Sequence, residues 1–183
     1  MFVEAILISI IIGLLRGGKL RRFNNVHNKT IWLLLSGMLI QYMLILANKL
    51  EEMESINKVL KYNKEILIFS YALILIGILT NIRLKSLWMV LLGYFLNFLV
   101  LASNGWRIPI IEGIGLANME NSIYNYIDGG TKFPQLGDTI FFSKPYPIPR
   151  IISLGDLVIS FAIFALIQEI MMGEDLFMSG YRI

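Results

Sequence analysis

NGWRIPIIEGIGLANMENSIYNYIDGGTKFPQLGDTIFFSKPYPIPRIISLGD, residues 104–156, separates two apolar runs towards the end of the chain. It holds all five prolines of the protein, Pro109, Pro134, Pro145, Pro147 and Pro149. It also holds two aspartates that each follow a glycine, Asp138 and Asp156. No single helix can run through such a stretch, because proline lacks the amide hydrogen and glycine favours turns. The rest of the chain is apolar runs joined by short polar loops. The contrast predicts a bundle of apolar helices with one long, differently built segment at one end.

Composition points the same way. Of 183 residues, 56% are hydrophobic and 16% charged, against about 25% charged in a soluble domain. Mean hydropathy is +0.68. An apolar excess gathered into runs is the pattern of an integral membrane bundle, and the length suits one domain, residues 1–183. With no cysteine, neither a disulfide framework nor a thiolate metal site can form. The single histidine, His27, excludes a multi-histidine metal or relay site. The net charge of +3, without a basic surface interleaved with aromatics, gives no case for nucleic acid. No P-loop, G-x-S-x-G or metal-ligand spacing occurs, and no cofactor is implied.

Working outward, five membrane helices are expected, at about 2–15, 30–47, 66–80, 87–103 and 151–172. The start, Met-Phe-Val-Glu, lacks a basic n-region, so the first run is expected to stay as a helix. The loop RGGKLRRFNNVHNK after it carries Arg16, Lys19, Arg21, Arg22 and Lys29 with no acid, and the short loop NIRLKS carries Arg83 and Lys85. The positive-inside rule places both in the cytoplasm, with the N-terminus outside and the tail GEDLFMSGYRI cytoplasmic. Total basic residues divide evenly between the two sides, so the orientation rests on these short loops. Residues 48–64 mix acids and lysines and read as a helical extension plus a turn. Gly17 and Gly18 either end the first helix or offer amides to a lipid phosphate.

Residues 104–150 are then an extracytoplasmic loop. Ile111, Gly115, Asn118 or Met119, Ser122 or Ile123, and Tyr126 recur at helical spacing, which predicts an amphipathic helix from about Ile110 to Ile127, stopped by Asp128-Gly129-Gly130. KPYPIPR reads as an extended connector. Phe133, Phe141, Phe142 and Tyr146 argue that the segment is ordered.

GGKL at 17–20, GYFLNFLVLASNGWRIPI at 93–110 and the two LGD sequences resemble a family of small bacterial multi-pass membrane proteins classed as a domain of unknown function. The resemblance covers nearly the whole chain and implies the bacterial cytoplasmic (inner) membrane. Locally, IISLGDLVISFAIFALIQE is similar to the last helix of lipoprotein signal peptidases, which carry a second aspartate a little under twenty residues upstream. Asp138 precedes Asp156 by 156 − 138 = 18 residues. Those enzymes have four membrane helices, and their first aspartate closes a helix, whereas Asp138 sits in the loop QLGDTIFF.

Several polar residues compete for a role. Asp138 and Asp156 would form a catalytic dyad if they converge, sharing a proton and activating water. Alternatively Asp156 caps the last helix and Asp138 holds a turn. Asn97 and Asn104, about two turns apart, can face one way and line an outward pocket, or act as interhelical glue as Gln41 does. Arg107 and Arg150 flank the loop and either bind a ligand or pair with the aspartates. Glu169 is placed to snorkel. The leading expectation is an outward polar pocket, built by Asn97, Asn104, Arg107, Asp138, Arg150 and Asp156. It would hold an amphiphile, a peptide or a partner helix among membrane lipids, alone or within a complex of membrane subunits. The alternative is a membrane aspartyl peptidase acting on a lipid-anchored or helical peptide. A transporter is disfavoured, because no inverted repeat is visible.

Overall fold

The computed structural model describes residues 2–25, 30–48, 53–111, 123–143 and 150–173. The chain is mostly helical, with six α-helices among the described residues: α1 (Phe2–Leu15), α2 (Ile31–Asn48), α3 (Glu54–Leu60), α4 (Asn63–Thr80), α5 (Leu87–Ser103) and α6 (Leu154–Met172). Five of them match the expected apolar runs to within about three residues, because each is an unbroken stretch of Leu, Ile, Met and aromatics with no proline. The mixed stretch after α2 contains a short helix of its own, α3. His27, residues 144–149 and the C-terminal tail lie outside the described residues.

Helix ends follow local chemistry. Gly17 takes φ +82 and closes α1. Gly105 takes φ +66 after α5, and the Trp106 amide returns 2.8 Å to the Leu101 carbonyl, satisfying one of the orphan acceptors at the helix end.

Packing divides the helices into two groups. α2 lies against α4, while α1 and α5 both lie against α6, and α4 meets α5 more sparsely. Small residues permit the close approaches. A Cβ on Gly77 of α4 would come within 2.6 Å of the Leu34 amide of α2. Gly93 of α5 sits so near α6 that a Cβ would come within 2.9 Å of the Gly155 carbonyl. Ile74, Ile78, Leu87, Val90, Ile159 and Met171 fill the space between the two groups.

The polarity of the bundle is inverted. Ser9, Ser70, Ser160 and Gln168 are buried, while Leu7, Leu39, Phe69, Leu92 and Phe161 stand on the exterior, Phe161 at 66% exposure. α4 and α6, of 18 and 19 residues, are long and apolar enough to cross a membrane, and the apolar stretches Glu4–Leu15, Ile31–Ala47 and Leu87–Ser103 of the other three long helices are shorter.

At one end of the bundle, the cap end, two small sheets form: β1 (Ile108–Ile110) pairs in parallel with β2 (Tyr124–Tyr126), and β3 (Ile140–Phe142) antiparallel with β4 (Arg150–Ile152). This corrects the expected amphipathic helix at both its ends. Ile110 and Tyr124–Tyr126 are strands, and residues 112–122 between them lie outside the described residues. The pairing of Ile108 with Tyr124 is a contact distant in sequence that helical spacing cannot report. The last helix likewise begins at Leu154, because residues 150–152 belong to β4.

Candidate functional site: two buried carboxyl groups in one cavity

Asp138 reaches the interior by backbone pairing. A one-turn helix, Pro134–Leu136, leads to Gly137 and then to an edge position beside β1. There the Asp138 amide donates to the Pro109 carbonyl at 2.8 Å, and the Ile111 amide donates to the Asp138 carbonyl at 3.1 Å. Gly137 must be glycine-sized, since a Cβ would lie 2.5 Å from the Pro109 carbonyl oxygen. The side chain that follows is only 8% exposed. Among the described residues none donates a hydrogen bond to its carboxyl group.

Asp156 arrives from the other side, in the first turn of α6. It is not the helix cap. Ser153 is, its Oγ accepting from the Asp156 amide at 3.0 Å. The sequence Ser153-Leu154-Gly155-Asp156 is the serine-x-x-acid pattern that opens helices, and this signal was available from the residues alone. Asn97 of α5 joins the two: the Ser153 hydroxyl donates to Asn97 Oδ1 at 3.0 Å, and Asn97 Nδ2 donates to Asp156 Oδ1 at 2.9 Å.

Asp138, Asp156, Asn97 and Ser153 line one cavity of about 470 Å³. Its other polar lining is Gln41, which donates to Ser70 Oγ at 3.2 Å, and Tyr42, Tyr71, Tyr94 and Tyr124. The remaining wall is apolar, and it extends to Phe2 of α1 and to Leu35 and Leu39 of α2. Leu39 and Tyr42 are each 55% exposed, so the cavity reaches the flank of the bundle beside α2. Among the described residues no lysine, arginine or histidine lines it.

Burial holds the Asp138 carboxyl well above the usual carboxylate range, and the charge of Asp156 pushes it the same way. Burial, then Asp138 and Asp156, also raise the Tyr124 hydroxyl. By contrast exposed Asp128 is held low by the Thr131 hydroxyl and the Gly130 amide. Two carboxyl groups facing one low-dielectric space repel each other when both are ionised, so the pair favours keeping a proton.

The other proposed site residues fall elsewhere. Asn104 does not line the cavity. Its Nδ2 donates to the Val100 and Lys132 carbonyls, both at 2.8 Å, and its Oδ1 accepts from the Lys132 amide at 2.9 Å. It therefore pins the 128–133 turn to the end of α5. Asn97 and Asn104 diverge because Asn104 is the residue at which α5 ends. Arg107 is exposed and lines no part of the cavity, so it does not neutralise either aspartate. Arg150 sits in β4 opposite Phe142, and its side chain lies outside the described residues. The tyrosines went unnoticed in the sequence, where Tyr71 and Tyr94 look like ordinary helix residues. They meet edge to face with centroids 5.9 Å apart. No group of three or more potential metal-binding His, Cys, Asp or Glu side chains occurs among the described residues.

Residues 25–168 match the model of a family of unknown function, DUF5317, and as that is most of the chain, the protein belongs to this family. No curated protein and no solved structure matches it.

Proposed function

We propose that this member of DUF5317 is a multi-pass protein of the bacterial cytoplasmic membrane whose cavity holds an amphiphile, with Asp138 and Asp156 at its polar end. Five spanning helices, α1, α2, α4, α5 and α6, account for the inverted polarity, since lipid rewards apolar exteriors and drives polar side chains inward. At about 1.5 Å per residue the 19 residues of α6 reach roughly 28 Å, close to a ~30 Å hydrocarbon core. The basic loops put the cap end outside.

The observation that carries the reading is a buried carboxyl group without a donor, in a cavity whose apolar wall continues to the greasy flank of the bundle. A carboxyl group that lines a cavity with no described donor can take a hydrogen bond from whatever fills that cavity. An amphiphile sliding in from the bilayer beside Leu39 would place its tail on the apolar wall and its head at the carboxyl groups. Native mass spectrometry of the purified full chain tests this. Wild type should retain a small amphiphile, and Leu39→Trp, which fills the wall, should lose it. Equal retention by both, or none by wild type, contradicts the reading.

A second reading is favoured by one specific observation, that Asp138 and Asp156 line the same cavity. In a membrane aspartyl peptidase the ionised carboxylate would take a proton from water as its oxygen attacks the scissile carbonyl. The protonated partner would donate to that carbonyl oxygen, and the C–N bond would then break with a proton passing to the leaving nitrogen. Asp138→Asn and Asp156→Asn would each abolish cleavage of a lipid-anchored or helical peptide while the protein still accumulates. Cleavage surviving either change excludes it.

A further inference from the structure

We infer that the occupant of the cavity is a single-chain amphiphile with a protonated amine as its head, seated between Asp138 and Asp156. The inference rests on the binding reading and adds the chemistry of the ligand.

Three observations bear on the head. First, no basic side chain among the described residues lines the cavity, and Arg107 is exposed and outside that lining. An anionic head would therefore find no side-chain cation there and would meet whichever carboxyl group is ionised. Second, the unmet hydrogen-bonding capacity is for acceptors. Asp138 receives no donor from a described residue, whereas Asp156 is met by Asn97 on Oδ1 and by Ser153. The Asn97 amide is already committed, giving one hydrogen to Asp156 and accepting from Ser153. An ammonium brings three N–H donors and no acceptor, which is the complement of that inventory. A hydroxyl head brings one donor and neutralises no charge. Third, Tyr71, Tyr94 and Tyr124 line the same space, and aromatic rings favour a cation.

The tail follows from the wall. The cavity of about 470 Å³ lies within the ~300–1,000 Å³ usual for small-molecule pockets, so it suits one chain and a compact head. Phe2 and Leu39 mark where the apolar wall meets the flank, which fits a ligand delivered from lipid.

The test compares three probes sharing one tail, dodecylamine, dodecanol and dodecanoate, titrated against the full chain in a non-ionic detergent and read by native mass spectrometry. Dodecylamine should bind at least tenfold tighter than dodecanol, and dodecanoate more weakly than either. Asp138→Asn should bring dodecylamine down to the dodecanol level, and cooperative melting of the variant in the same detergent shows that it is folded. Asp156→Asn should do the same. Equal binding of amine and alcohol by wild type overturns the ammonium head but leaves the cavity as an amphiphile site. Failure of all three probes overturns the binding reading with it. Dodecylamine binding that survives both substitutions overturns the seat. A helical peptide with a free N-terminus that displaces dodecylamine at lower concentration overturns the lipid-like occupant.

Discussion

The two ends of the bundle both bury polar side chains, and they differ at one of them, Asp138. At the end away from the cap, the buried and half-buried polar groups among the described residues meet a helix terminus or a neighbouring helix. Glu169 accepts from the Lys85 amide at 2.8 Å and the Ser86 amide at 2.9 Å, supplying the start of α5 with the acceptors it lacks. Arg22 donates to the Met171 carbonyl at 3.0 Å and also to that of Met172, at the end of α6. Gln168 donates to the Ser9 carbonyl at 2.6 Å and its hydroxyl at 3.0 Å, and that hydroxyl donates to the Phe164 carbonyl at 2.8 Å, tying α1 to α6. Acid at a helix start and base at a helix end also oppose the helix dipoles favourably. At the cap end Asp138 is equally buried, yet no described donor reaches its carboxyl group. The lesson is that burial alone does not separate structural from functional polar groups. Whether the hydrogen-bonding account closes does.

Four substitutions would sharpen or break that contrast. The largest effect is expected where neither end is spared. Gly155→Leu drives a side chain into Asn97 and the Gly93 carbonyl, separating α5 from α6 throughout. The protein should fail to accumulate, as immunoblotting of membranes would show, and normal accumulation would refute the close approach. Next comes Glu169→Ala, which leaves two helix-start amides without acceptors. It should destabilise by about 2 kcal/mol, as charged hydrogen bonds do. Melting of the detergent-solubilised protein should fall by roughly 4–8 °C on the usual conversion for this chain length. Amine binding at the far cavity should not change.

Ser153→Ala removes the cap of α6 and should cost about 1 kcal/mol. Because Ser153 also orients Asn97, this change should lower ligand binding as well, which separates it from Glu169→Ala in the same pair of assays. Asn104→Ala should cost about 1 kcal/mol by freeing the 128–133 turn. Its ligand affinity should match wild type, and a weakened affinity would return Asn104 to the site.

The helices were legible because an apolar run without proline has one good conformation. The glycine ends at Gly17 and Gly105 were equally local. The cap was not legible, because β1 and β2 are three-residue strands whose stability comes from pairing across residues 111–123, a stretch whose spacing looks helical. The site was legible in part. Asp138 and Asp156 stood out as paired glycine-aspartate sequences, but their lining one cavity depends on Asp138 being stitched to β1. The serine that caps α6 was written in the order Ser153-Leu154-Gly155-Asp156. Glu169 as the cap of α5 was not, since its partners lie more than eighty residues earlier.

The smallest expected change in stability is also the most informative. A carboxyl group whose folded pKa is raised binds its proton more tightly folded than unfolded. Wild type should therefore lose stability as pH rises from the ordinary carboxylate value of 3.8 towards the raised one. Asp138→Asn removes this loss, and its stability should be flatter over that range. The most direct measurement is the melting temperature of Asp138→Asn beside wild type, both without added ligand, in one detergent at neutral pH. The account predicts a value equal to or above wild type, because the substitution removes a carboxyl group that burial and Asp156 make costly to ionise. A drop of several degrees, like that expected for Glu169→Ala, would contradict it and make Asp138 a structural anchor.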